Sequence, residues 1–404
     1  MNAFTEPLSF DPASAERDMG IALQQFIRIR RDIHAHPELG FREHRTAALV
    51  AKLLAQWGYE VSDGIGGTGV VGQLKRGPGR SLGLRADMDA LPVQEKTGLT
   101  WASSVPGVMH ACGHDGHTAT LLAAAEAIAR APDFSGTLNL IFQPAEEGAG
   151  GAVRMIKDGL FERFPCDAVF ALHNLPGLKT GHFMFRSGPA MASSDDVTIR
   201  LAGVGGHGAM PHTTTDVIVA ASAIVLALQS VVARNVDPLE TAVVSVGAIH
   251  AGQAGNVIPD SATLELSVRA LSADVRALLR KRVLELVEAQ AVSFGVSAQV
   301  DWREGYDVLV NDTEHTRFAA GVATQLFGSD RVTDEGRRLT ASEDFAFMLK
   351  QVPGCYFFVG NGLAGEPGGC MVHNPGYDFN DQIIGPAARF WIELVSAYLR
   401  VPSP

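Results

Sequence analysis

The chain has 404 residues, 46% hydrophobic and 19% charged, with a formal net charge of −11. That length allows about two to three domains, and the apolar content excludes disorder as the main state. The acidic balance argues against a dedicated nucleic-acid binder or a polybasic membrane anchor. The first twenty residues hold no basic start followed by an apolar run, so no secretion leader is predicted. Ser14–His36 shows helical periodicity through Met19, Leu23, Phe26, Ile27 and Ile33, ended by His36-Pro37 because a residue before proline avoids the helical region. Thr46–Trp57 is a second predicted helix, stopped at Gly58. Apolar or β-branched runs predict strands at Val70–Leu74, Ser81–Ala86, Thr137–Phe142 and Ala168–Leu172, with helices His117–Arg130 and Gly151–Asp158 between them. Such alternation predicts an α/β fold, a central sheet covered by helices on both faces.

The pattern changes near Ser187. Val197–Ala202, Ala242–His250, Ala262–Ala270 and Ser297–Trp302 read as strands, and Thr215–Ala233 and Ala273–Phe294 as long helices. The order β-α-β-β-α-β is that of a split, ferredoxin-like α+β unit. The α/β pattern then resumes with helix Glu314–Leu326, strand Gly354–Val359 and helix Pro386–Leu399. The predicted organisation is a catalytic α/β domain in two parts, 1–189 and 306–404, with a smaller domain inserted at 190–305. No run of about 18 uninterrupted apolar residues is present, so no membrane span is expected. The longest run, around Val217–Leu228, is broken by Ser222 and suits a buried helix. Four scattered cysteines, Cys112, Cys166, Cys355 and Cys370, form no disulfide framework and point to a reducing, cytoplasmic compartment.

The densest chemistry lies at Met109–His117, where three histidines, one cysteine and one aspartate fall within eight positions. Cysteine and histidine separated by a glycine can reach one metal centre. The following helix is expected to place its positive N-terminal end beneath Cys112 and lower the thiol pKa. Glu146-Glu147 follows the strand Thr137–Phe142. Adjacent carboxylates repel, which favours a cation between them, one carboxylate binding metal and the other handling protons. His173 and His373 come after further strands, and Arg85–Pro92 brings Asp87 and Asp89 to another strand end, where α/β sheets place their sites. Together these donors suffice for two metal ions. In the inserted domain, the glycines of Gly203–His212 let backbone approach a ligand or partner chain. His207, Asn256 and Arg269 offer an imidazole, an amide and a guanidinium to a substrate carbonyl and carboxylate, or equally belong to a tight turn and a surface arginine.

The chain resembles the M20 metallopeptidase family, in its amidohydrolase branch of hippurate hydrolases, N-acyl-amino-acid amidohydrolases and indole-acetyl-amino-acid hydrolases. The resemblance rests on RDIHAHPELG (Arg31–Gly40), RADMDALP (Arg85–Pro92), MHACGHDGH (Met109–His117), QPAEEG (Gln143–Gly148), GGHGAMPH (Gly205–His212), NVIP (Asn256–Pro259), SEDF (Ser342–Phe345) and His373. It implies that Cys112 bridges two divalent metal ions per subunit (Zn2+, Mn2+, Co2+ or Ni2+), with His114, Glu147, His173 and His373 as the other ligands. By the same resemblance Glu146 is the general base, Asp89 orients a ligand, and Asn256 and Arg269 contact substrate. The resemblance also implies that His207 acts across the interface of a homodimer or higher homo-oligomer formed by the inserted domain, which serves as a dimerisation or lid domain. The implied activity is hydrolysis of N-acyl amino acids, hippurate-like or N-acetyl, to a carboxylic acid and a free amino acid. No nucleic-acid or membrane partner is implied. The competing readings are a metallo-dipeptidase or carboxypeptidase, a cysteine-nucleophile enzyme using Cys112 with His114 or His117, and a non-catalytic binding protein. The cysteine reading leaves Glu146-Glu147 unexplained, and a binding protein has no need of Glu146.

Overall fold

The computed structural model describes residues 12–130 and 134–400, with side chains in the first helix from residue 23 onward. Met19, and the leader reading of the first twenty residues, fall on residues or side chains outside that description. In chain order the first elements are α1 (Pro12–Ala35), α2 (His44–Gln56), β1 (Glu60–Ile65), β2 (Gly69–Arg76), β3 (Ser81–Asp87), α3 (His114–Arg130), β4 (Gly136–Gln143), α4 (Gly151–Lys157), α5 (Leu160–Arg163), β5 (Ala168–Pro176) and β6 (Phe183–Met184). The middle of the chain forms β7 (Gly188–Met191), β8 (Asp195–Ala202), β9 (Gly206–His207), α6 (Val217–Asn235), β10 (Ala242–Ala251), β11 (Val257–Ile258), β12 (Ser261–Ala270), α7 (Ala273–Ser293), β13 (Ser297–Glu304) and β14 (Leu309–Asn311). The last elements are α8 (Thr313–Phe327), β15 (Val332–Thr333), α9 (Phe345–Leu349), β16 (Gly354–Gly362) and α10 (Ile384–Tyr398).

The chain divides into two compact units. One comprises the described residues within 1–185, 314–335 and 351–404, the other 186–313 and 336–350. Gly336–Lys350 therefore goes with the inserted unit, whereas the expected range 306–404 runs unbroken.

The first unit is built on an eight-stranded sheet in the order β1-β2-β4-β3-β5-β16-β6-β15. The neighbours β4, β3, β5 and β16 run parallel, so their carboxyl ends share one edge. Every residue of β16 is buried, as a strand covered on both faces requires. A Cβ at Gly69 would meet Met155 of α4, and one at Gly72 would meet Leu54 of α2. Residues three apart on a strand point to opposite faces, so helices cover both sides. The charged edge strand β1 (EVSDGI) carries no apolar run and is not legible as a strand in sequence.

The inserted unit holds an antiparallel four-stranded sheet in the order β10-β12-β8-β13, the ferredoxin-like arrangement. Its strand β8 alternates buried and exposed residues, because only one face is covered. Val217, Ala220, Ala221, Ile224, Leu228 and Val231 of α6 share a core with Val283 and Val287 of α7 and the sheet. Each helix starts at a side-chain cap: Asp216 accepts from the Ile218 and Val219 N–H groups, and Ser272 from that of Val275. By length and composition alone α6 is long and apolar enough to cross a membrane. Ser222 interrupts its apolar run; its buried stripe packs on the sheet, while Ile218, Val219 and Leu226 remain exposed.

Candidate active site

Asp87 ends β3, Glu146-Glu147 follows β4, and α3 begins at His114, two residues past Cys112. His173 lies inside β5 rather than past its end, paired in register with Phe358 of β16. His373 follows β16 on a loop, with φ +63 and its N–H donated to the Ala111 carbonyl at 2.7 Å.

Two triads of donor atoms share one cysteine: Cys112 with His114 and His173, and Cys112 with Glu147 and His373. Cys112 Sγ lies 3.4 Å from His173 Nε2, and Glu147 Oε1 lies 3.2 Å from His373 Nε2 and 3.9 Å from His114 Nε2. All five expected ligands are thus brought together. The imidazoles are oriented from behind. His173 Nδ1 donates to the Asn174 carbonyl at 2.6 Å, and His114 Nδ1 to Asp89 Oδ1 at 3.2 Å. Each leaves Nε2 as the inward atom, and His114 Nε2 is buried with no hydrogen-bond partner among the described residues. A sulfur, imidazole nitrogens and a carboxylate around a buried, unsatisfied nitrogen fit borderline divalent ions.

The electrostatics say the same. Burial opposes charge on His114, yet Asp87, Asp89 and Glu147 carry its pKa up to about 10. Burial pushes the Cys112 thiol well up, and Glu147, Glu146 and Asp87 push it further. The expected lowering by the α3 N-terminus is overturned, because desolvation and three anions outweigh a partial charge of about half a unit. His173 goes the other way: burial and then His117 lower its pKa, which keeps it neutral. His373 is raised by its hydrogen bond to Glu147.

Asp89 organises the cluster. Besides His114, its two oxygens accept the Glu146 and Glu147 N–H groups, each at 3.0 Å. Behind the metal loop, His117 donates from Nδ1 to Asp87 Oδ1 at 2.6 Å and accepts the Asn174 N–H at Nε2, 3.1 Å. Asp87, His114 and His117 lie close enough to hold an ion, but both His117 nitrogens are occupied. Asn174 also donates to the Cys112 carbonyl at 2.6 Å and accepts from the Tyr377 hydroxyl at 2.7 Å. Neither residue carries a local sequence signal for this role. Further out, buried Arg30 Nε and His34 Nδ1 each reach Asp115 Oδ2 at 2.8 Å, which ties α1 to the first turn of α3. His34 Nε2 lies 3.5 Å from Glu95. Burial works against the His34 imidazolium, but Asp115 and Glu95 raise its pKa to about 9.

In the inserted unit, β9 and β11 form a two-stranded ribbon with His207 opposite Val257. The Gly208 N–H donates to the Asn256 carbonyl at 2.8 Å. The expected close approach at these glycines is to the other strand of the ribbon: a Cβ at Gly205 would stand 2.8 Å from the Ile258 oxygen, and one at Gly208 3.1 Å from that of Asn256. His207 and Asn256 are exposed. The Ala209 N–H donates to His207 Nδ1 at 3.0 Å, so the proton sits on Nε2, which becomes a donor. Arg269 Nη1 donates to the Thr340 carbonyl at 3.2 Å and lies 3.4 Å from Ser342 Oγ, holding the segment that carries the SEDF motif.

Residues 83–397 match the description of peptidase family M20/M25/M40. The chain belongs to this M20 family. It is 46% identical over 377 residues to hippurate hydrolase of Campylobacter jejuni, covering 93% of this chain and 97% of that one. It is 40% identical over 354 residues to thermostable carboxypeptidase 1 of Saccharolobus solfataricus, covering 86% and 88%. The crystal structure of a dinuclear metal binding peptidase of the M20 family from Bacillus subtilis superposes with a TM-score of 0.80 at 32% identity, covering 94% of this chain and 99% of that one. The M20 fold and the capacity for two divalent ions are thereby shown for this chain, and the ion's identity is a separate matter.

Proposed function

We propose that this M20 chain is a dinuclear metal-dependent amidohydrolase that cleaves N-acyl amino acids, hippurate-like or N-acetyl, to a carboxylic acid and a free amino acid. The observation that carries the reading is the pair of donor triads sharing Cys112, with Glu146 beside them; the 46% identity to a hippurate hydrolase supports the substrate class. Cys112, His114, Glu147, His173 and His373 would hold the ions, for which Zn2+, Mn2+, Co2+ and Ni2+ suit the donors. Bound there, two divalent ions supply Lewis-acid chemistry and acidify a water. Glu146 takes the proton of the attacking water and passes it to the leaving nitrogen, so one carboxylate serves as base and then acid. Asp89 keeps His114 and both glutamates in place. His207 donates a hydrogen bond from its Nε2–H to the carbonyl oxygen as charge develops there, and keeps its proton. Asn256 and Arg269 engage the substrate's polar end. The subunit works in the cytoplasm as a homodimer joined through the inserted domain, with His207 serving the partner's site. The exposed apolar residues Ile218, Val219 and Leu226 on α6 support self-association.

A second reading, a carboxypeptidase acting on short peptides, is favoured by the 40% identity to a carboxypeptidase. The test is release of free amino acid from a panel of N-acyl amino acids and dipeptides, with and without chelator. Release that needs metal, is fastest on N-acyl substrates and falls about 10²–10⁴-fold in Glu146→Ala is expected. Preference for dipeptides installs the second reading. Activity that survives chelation or the substitution overturns both.

A further inference from the structure

Glu43 is fully buried immediately before α2, and none of the roles above uses it. Its Oε1 accepts the Ala145 N–H at 2.9 Å, and its Oε2 accepts the Thr68 hydroxyl. Ala145 directly precedes Glu146 and has φ +51, the left-handed region that a Cβ disfavours. The turn at Ala145 swings the next two N–H groups onto Asp89 at 3.0 Å each. Three consecutive N–H groups are thus held by two carboxylates, Glu43 and then Asp89. Gly40 completes the buttress: a Cβ there would stand 3.0 Å from the Ala145 Cβ, tight enough that the turn would have to shift by a few tenths of an ångström to accept it. The RDIHAHPELG motif ends at that glycine, which supplies a physical use for its last position.

We propose that Glu43 is a positioning residue for the hydrolysis. It holds Ala145 in its left-handed turn, and so, together with Asp89, it sets Glu146 and Glu147. The inference rests on the reading of Glu146 as base and Glu147 as ligand. Because the link is geometric, reach should matter and charge should not. Glu43→Gln keeps an acceptor oxygen at the same distance. Glu43→Asp keeps the charge and falls one methylene short.

The test measures kcat and KM on an N-acyl amino acid and Zn2+ affinity by chelator competition, on variants whose folding is checked by circular dichroism. Glu43→Asp is expected to lower kcat about 10–100-fold, the range for groups that orient metal ligands. It should weaken one of the two Zn2+ sites about tenfold and leave KM within about threefold. Glu43→Gln should stay within about threefold of wild type on every readout. Adding Ala145→Gly to Glu43→Asp should recover part of the lost kcat, since glycine takes positive φ without penalty. A Glu43→Asp protein that melts earlier but keeps kcat and both Zn2+ affinities overturns the inference, as does Glu43→Gln behaving like Glu43→Asp. Glu146→Ala run alongside separates the two failures. If it stays active, the base assignment falls; if it is inactive while Glu43→Asp is unimpaired, only the role of Glu43 falls.

Discussion

His114 and His173 are buried or half-buried, and each has its Nδ1 tied down, to Asp89 and to the Asn174 carbonyl. His207 stands exposed on a two-stranded ribbon, its ring held by the N–H of Ala209. The contrast matches the roles proposed above, metal ligands for His114 and His173 and a hydrogen-bond donor for His207. Ligands converging on an ion at about 2 Å tolerate little error, so each needs its own anchor. A lone hydrogen-bond donor needs the right tautomer and a backbone in register. The anchoring therefore concentrates where several groups must meet at one point, and the inserted unit presents His207 with little else.

The largest break in this comparison is expected at the sparsely anchored side. His207→Ala should lower kcat about 10²–10³-fold, as loss of an oxyanion donor does, while both metals remain bound by elemental analysis. If His207 serves the partner's site, mixing equal amounts of His207→Ala and Glu146→Ala subunits restores about a quarter of wild-type activity, since half the dimers are mixed and each has one intact site. No recovery after verified subunit exchange would place His207 in its own subunit's site or outside the reaction.

Anchoring on the buried side should show as metal affinity. Asp89→Asn weakens an acceptor shared by His114 Nδ1 and the Glu146 N–H, the Glu147 N–H using the other oxygen. Affinity for at least one ion should fall about 10–100-fold, read by chelator competition, with a smaller loss of activity at saturating metal. Unchanged affinity would mean that the remaining ligands set the site unaided.

The smallest expected effect concerns the web behind the metal loop. His34 titrates near 9 in the folded chain, above the ordinary histidine value. Its contribution to stability is complete below about pH 6.5 and is lost as pH rises through about 9. Wild type should therefore melt a few degrees above His34→Gln at pH 6, and the gap should close by pH 10. A gap that is constant with pH would show that packing, not the charge, is what His34 supplies.

Much of the site was legible because its donors sit in short contiguous stretches. Met109–His117 and Gln143–Gly148 each carry several reactive groups within one turn or loop, and the strand–helix alternation around them is written in local apolar periodicity. The inserted ferredoxin-like unit was legible for the same reason: its long helices and alternating strands each read within a single window. Glu60–Ile65 escaped because an edge strand with Glu, Asp and Gly has no apolar run to announce it. Asn174, Tyr377 and Glu43 escaped because each acts on a residue far along the chain: Tyr377 is 203 positions from Asn174 and Glu43 is 102 from Ala145.

By itself the sequence determined which residue types could bind metal, the order of the secondary elements and the family. Those depend on side-chain chemistry and on periodicities of a few residues. Only the tertiary structure decided the rest. It gave both His117 nitrogens hydrogen-bond partners within the chain, set Nε2 as the protonated atom of His207, and turned Gly336–Lys350 into part of the inserted unit. It also reversed the expected shift at Cys112. A pKa or a tautomer depends on burial and on which partner lies within about 3 Å, and those are properties of the packed chain.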